Sequence, residues 1–104
     1  MLDRTRIATL KEEIGEDDFA EVLEMFIDEM TMQIEAINTS DPAQLTADLH
    51  ALKGSASNVG FSQFAALCAE AENGVRNGSM PHSLSSKLGD CFAASRQAIS
   101  GPEM

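Results

Sequence analysis

The stretch Asp41-Pro42-Ala43-Gln44-Leu45-Thr46-Ala47-Asp48-Leu49-His50-Ala51-Leu52-Lys53-Gly54-Ser55-Ala56-Ser57-Asn58-Val59-Gly60 decides the fold. Its apolar residues Leu45, Leu49, Leu52, Ala56 and Val59 step by four, three, four and three, which makes one seam along a helix. Asp41 is a good N-cap, because its side chain can accept from a backbone N–H left unpaired in the first turn. Pro42 suits the first helical position, with its φ already fixed and no N–H to leave unsatisfied. Gly60 ends the helix.

The same periodicity continues on both sides. A short first helix around Thr5 to Ile14 carries Ile7, Leu10 and Ile14 on one face and stops at Gly15. The second begins at Glu16-Asp17-Asp18, acids suited to the positive end of the helix dipole, and runs through Phe19, Val22, Leu23, Phe26, Met30, Ile34 and Ile37 before Asn38-Thr39-Ser40 breaks the pattern. Phe61, Phe64, Leu67, Cys68, Ala71 and Val75 mark a fourth helix, with Ser62 as its expected cap and Asn77-Gly78 as its end. Pro81 opens a fifth, in which Leu84, Leu88, Cys91, Phe92 and Ile99 share a face before Gly101-Pro102. Four substantial amphipathic helices with short connections predict an all-α, up-and-down antiparallel four-helix bundle, with the short N-terminal helix capping one end.

Composition bounds what such a bundle does. A chain of 104 residues is expected to form one domain over residues 1–104, with one modest core and one working surface. Seven basic against 17 acidic residues give a formal net charge of −10, which opposes binding to nucleic acid or anionic membranes. Nine acids between Glu12 and Glu29 read as solvated helix faces, since their spacing matches no calcium loop. The first residues lack the apolar run of a secretory signal, and no window is apolar enough to span a bilayer, so a soluble cytoplasmic protein is expected. Cys68 and Cys91 fall on apolar stripes and are expected as reduced, buried thiols; the six methionines and five phenylalanines read as core filler. Di-metal bundles use Glu-x-x-His pairs, and no such pair occurs.

His50 lies roughly 125° to 140° around its helix from the centre of the Leu45, Leu49, Leu52 seam, with Lys53, Gly54 and Ser57 on its own side. It is therefore expected to be exposed. Gly54, one turn on, costs about 1 kcal/mol of helix propensity relative to alanine and needs a compensating reason. Room beside the imidazole is one such reason; close helix packing is another. Lys53 at i+3 places a positive charge where a phosphoryl group on the ring would lie. The alternative is a plain surface histidine beside a surface lysine. His82 has no Lys-Gly companion and reads as a surface residue.

The eleven residues from His50 to Gly60 resemble the signature of histidine phosphotransfer (HPt) domains: His, any residue, Leu, Lys, Gly, small residues, then an aliphatic residue and a Gly. Ile14-Gly15-Glu16-Asp17-Asp18-Phe19 followed by Met25-Phe26-Ile27 is similar to the family's second helix, and Leu67-Cys68 with Glu72 to its fourth. The resemblance implies a phosphoryl carrier rather than an enzyme. His50 would accept a phosphoryl group from a receiver-domain aspartate and pass it to another receiver. The family places Glu72 where a carboxylate can accept the Nδ1 proton and orient the imidazole, and Arg76 at an often basic position from which it could reach the phosphoryl group. Lys53 would neutralise phosphate charge, while Gly54 and Ser57 leave access clear.

The expected partners are response-regulator receiver domains or a hybrid histidine kinase, met by a monomer; a free-standing shuttle is favoured, with a domain cut from a hybrid kinase as the alternative. No cofactor or metal is expected on this chain, because the receiver would bring the magnesium ion. Docking is expected to use apolar residues around His50 on the second and third helices. The competing reading is a helical adaptor that docks such domains without ever being phosphorylated.

Overall fold

The computed structural model describes residues 2–37, 41–78 and 84–100. Five helices follow one another: α1 (Arg4–Ile14), α2 (Glu16–Ile37), α3 (Pro42–Asn58), α4 (Ser62–Arg76) and α5 (Leu84–Ser100), with no strand among the described residues. Helices α2 to α5 form the four-helix bundle: α3 packs on α2 and α4, α5 packs on α4 and α2, and α1 lies against α2. The Asn38-Thr39-Ser40 break, Pro81 and His82 lie outside the described residues.

The α3 seam forms the bundle's centre, with Leu45, Leu49, Leu52, Ala56 and Val59 all sealed from solvent. Around it close Phe19, Ile27, Met30 and Ile37 from α2, Phe64, Cys68 and Ala71 from α4, and Leu88 and Phe92 from α5. Phe92 meets the rings of Phe61 and Phe64 at centroid distances of 6.1 and 5.5 Å. Each fully buried Leu or Phe contributes roughly 1.5–3 kcal/mol relative to an exposed one, so this seam supplies a large share of the folding free energy.

The helix starts follow local chemistry. Asp41 caps α3 by accepting from the Gln44 N–H at 2.8 Å, and Asp3 does the same for α1 with the Arg6 N–H at 3.0 Å. Helix α4 departs from expectation: Phe61, not Ser62, is its N-cap, no side chain caps it, and Ser62 is already helical. The cap position is occupied by a residue whose ring is needed in the core, and Phe61 is fully buried there. The turn before it depends on Gly60, at φ +77°, where a side chain would also collide with Ile7 Cγ1 at 2.7 Å and Asp3 O at 2.9 Å. The Asp3 N–H donates to the Gly60 carbonyl at 2.7 Å and Arg6 Nε donates to the Asn58 carbonyl at 3.0 Å. Helix α1 is thereby fastened over the α3–α4 turn as the cap of that end of the bundle.

Two expectations about the core are corrected. Met30 is fully buried, but Met25 and Met32 are 65% and 69% exposed, so the methionines are not uniformly core filler. Cys68 is buried as expected, whereas Cys91 is only half-buried and lines a groove of about 570 Å³ between α4 and α5 with Leu67, Ala66 and Ala94. Both thiols are free. Among the described residues no helix is long and apolar enough to cross a membrane.

Candidate functional site

Because the seam turns inward, the opposite side of α3 turns out, and the His50 side chain is 67% exposed. One turn on, Gly54 is also exposed, and a Cβ built there would meet nothing within 4 Å. Close helix packing therefore does not explain this glycine. Among the described residues no contact requires it, and the surface beside the imidazole is open there. Ser57 is exposed on the same side, and Lys53 is half-buried at i+3 from His50.

Helix α4, packed against α3, brings Glu72 to the histidine. Glu72 Oε2 lies 3.4 Å from His50 Nδ1 and 2.8 Å from Arg76 Nη2. The carboxylate is buried, with its side chain only 6% exposed, while Arg76 is 61% exposed and sits at i+4 in the last turn of α4. Glu72 and Arg76, at i and i+4 on α4, thus pair, and the same oxygen of the buried carboxylate is shared between an imidazole and a guanidinium. A carboxylate removed from water in this way is costly unless a partner charge and hydrogen bonds compensate it.

Beneath Glu72, one turn back on α4, lies the buried Cys68. Burial pushes its thiol up to about 12, the nearby Cys91 and Glu72 push in the same direction, and Lys53 opposes them. Cys68 therefore stays protonated and unreactive at neutral pH. Burial also raises the Cys91 thiol, against the lowering effect of the neighbouring Ser95 hydroxyl. Neither cysteine is a poised nucleophile. Among the described residues no group of three or more His, Cys, Asp or Glu side chains could hold a metal ion.

The structure thus brings His50, Glu72 and Arg76 into one connected cluster, with Lys53, Gly54 and Ser57 on the His50 side of α3. A feature that composition concealed is the exposed pair Met25 and Met32, spaced i, i+7 on α2. Counted as a residue type they look like core; placed on the helical wheel, both fall away from the Phe26, Met30, Ile34 stripe. That phase was the available signal.

Searches of curated proteins and of solved structures return no significant match. A family model, described as Hpt domain, matches residues 21–98, which takes in α3, α4, most of α2 and nearly all of α5. Hpt domains are helical bundles that carry phosphoryl groups on histidine in phosphorelays, and the exposed imidazole beside a buried carboxylate is in keeping with that chemistry. On the span of the match and the agreement of fold, this chain belongs to the Hpt domain family.

Proposed function

We propose that the protein is a phosphorelay intermediate that accepts a phosphoryl group on His50 Nε2 from the aspartyl phosphate of a receiver domain and passes it to the aspartate of another. The observation that carries this reading is the 3.4 Å approach of Glu72 Oε2 to His50 Nδ1 on an otherwise open imidazole. With the proton held on Nδ1 and facing the carboxylate, the lone pair of Nε2 points to solvent.

In the forward step that lone pair attacks phosphorus, the phosphorus–oxygen bond to the aspartate breaks, and the aspartate leaves as a carboxylate. The ring is left with Nδ1–H and a positive charge, which Glu72 stabilises or relieves by taking the proton. Return to a second receiver reverses each bond change. Lys53, at i+3 from His50, supplies positive charge at the rim for the phosphoryl oxygens.

Gly54 and Ser57 leave room for the incoming receiver domain. Met25 and Met32 give α2 exposed apolar surface of the kind a transient partner reads. The protein acts as carrier rather than catalyst, as a single domain, and the receiver brings the magnesium ion and the acidic site. Incubation with a phosphorylated receiver is expected to give an acid-labile, base-stable phosphoprotein, and His50→Gln to abolish the label. A label that survives this substitution refutes the site.

A further inference from the structure

We propose that Arg76 is a positioning residue, acting on His50 through Glu72 rather than on the phosphoryl group. The proposal rests on the phosphorelay reading above and assigns one residue of that site a different part from the one its position in the family suggests. Three observations carry it. The guanidinium Nη2 lies 2.8 Å from Glu72 Oε2, a charge-assisted contact well inside hydrogen-bond range. The oxygen it holds is the same one that faces His50 Nδ1 at 3.4 Å. Glu72 itself is buried while Arg76 is exposed, so the cation lies at the rim and draws on solvent while compensating the charge beneath it.

Consider Glu72 without that cation. Among the described residues Arg76 is the permanent positive charge in contact with the carboxylate. The other group in contact, His50, is charged only when protonated. The remaining neighbour one turn back on α4 is the Cys68 thiol, buried and held uncharged. A buried carboxylate deprived of its compensating charge has two ways to relax: it swings outward to water, or it takes a proton. Either way it stops serving as a fixed acceptor for the His50 Nδ1–H. The imidazole then divides between its two tautomers, and part of the population carries its proton on Nε2, where no lone pair is available for attack.

The position of Arg76 also argues against a primary phosphoryl contact. Its bond to Glu72 lies on the Nδ1 side of the ring, away from the nitrogen that receives the phosphoryl group. As the last residue of α4, it is further favoured there by the negative end of the helix dipole.

The test uses the unphosphorylated full chain first. Side-chain ¹H–¹⁵N spectra of the histidines are expected to show His50 with its proton on Nδ1, a mixture of tautomers in Arg76→Met, and return of the Nδ1–H form in Arg76→Lys. Arg76 is exposed, so the variants keep the fold, which circular dichroism checks. Phosphotransfer from a phosphorylated receiver is expected to slow about tenfold in Arg76→Met, the scale of one charge-assisted hydrogen bond. In a Glu72→Gln background the same substitution is expected to add no further slowing. An unchanged tautomer signature overturns the proposal, as does a shifted signature with an unchanged transfer rate. Equal slowing by Arg76→Met in both backgrounds also overturns it and returns Arg76 to the phosphoryl group. Because the tautomer measurement needs no phosphorylation, its failure is distinct from failure of the phosphorelay reading, which the His50→Gln label decides.

Discussion

Along α3, Leu45, Leu49, Leu52, Ala56 and Val59 are sealed inside the bundle while His50, Gly54 and Ser57, from the same helix, stand in solvent. The inward face is held by contact on every side, so its residues are fixed by volume and phase. On the outward face, the Glu72 carboxylate meets His50 Nδ1 at 3.4 Å. Gly54 has free space around it. A single helix therefore separates the residues that make the fold from those through which it would act. The separation has consequences for substitution, and the largest lie on the inward face.

Leu52 is fully buried two residues from His50. Truncating it to alanine is expected to cost about 2–5 kcal/mol, the range for large-to-small changes at sealed leucines. Set against the roughly 5–15 kcal/mol total of a typical domain, that produces a large fall in the urea midpoint. His50→Gln, on the outward face, is expected to shift stability by no more than about 0.5 kcal/mol. Urea titration of both variants checks the contrast. A His50 variant that loses more than about 1 kcal/mol would show that the two faces are not energetically separate.

Cys68 tests the boundary between them, because it is part of the core yet lies one turn from Glu72. Its thiol ordinarily titrates at 9.0 and in the folded protein at about 12, first because of burial and then because of Cys91 and Glu72. Between those values the unfolded chain releases the proton and the folded chain keeps it, so the folded state binds more protons and stability falls as pH rises. Three units correspond to at most about 4 kcal/mol, fully present below pH 9 and lost toward pH 12. The comparison is with Cys68→Ala. That variant is expected to be less stable at neutral pH but to lose stability less steeply above pH 9. Parallel slopes would mean that the thiol contributes nothing to the alkaline limit.

The inward face was readable from sequence because its signal is redundant: five apolar residues in one phase, a capping Asp, a Pro and a closing Gly all define the same helix. Exposure of His50 followed from that phase alone. What sequence left open depends on the neighbouring helix. A Glu and an Arg at i, i+4 look the same whether they lie in water or bridge to a histidine, and the burial of Glu72 is decided by how α4 rotates against α3. Ser62 looked like a cap because hydroxyl residues so often serve that way, but the Phe61 ring takes its place by entering the core. Cys91 sits on the apolar stripe of α5, and its partial exposure comes from the groove that Ala66 and Ala94 leave between α4 and α5.

The smallest expected effect is the most discriminating, because it moves the two faces in opposite directions. Gly54 is helical, exposed and surrounded by free space, so alanine there restores helix propensity without a clash. The gain is expected to be about 0.5–1 kcal/mol, or several degrees in Tm for a domain of this size. If the bare surface exists for an incoming phosphoryl donor, the same methyl group slows transfer, and Gly54→Gln slows it further. A glycine held at a cost to the fold is otherwise hard to account for, since among the described residues no contact requires it. Stabilisation together with unchanged transfer in both variants would remove the clearance argument while leaving His50 in place. Destabilisation by alanine would instead show that the outward face of α3 is not free, and the contrast between the two faces would fail.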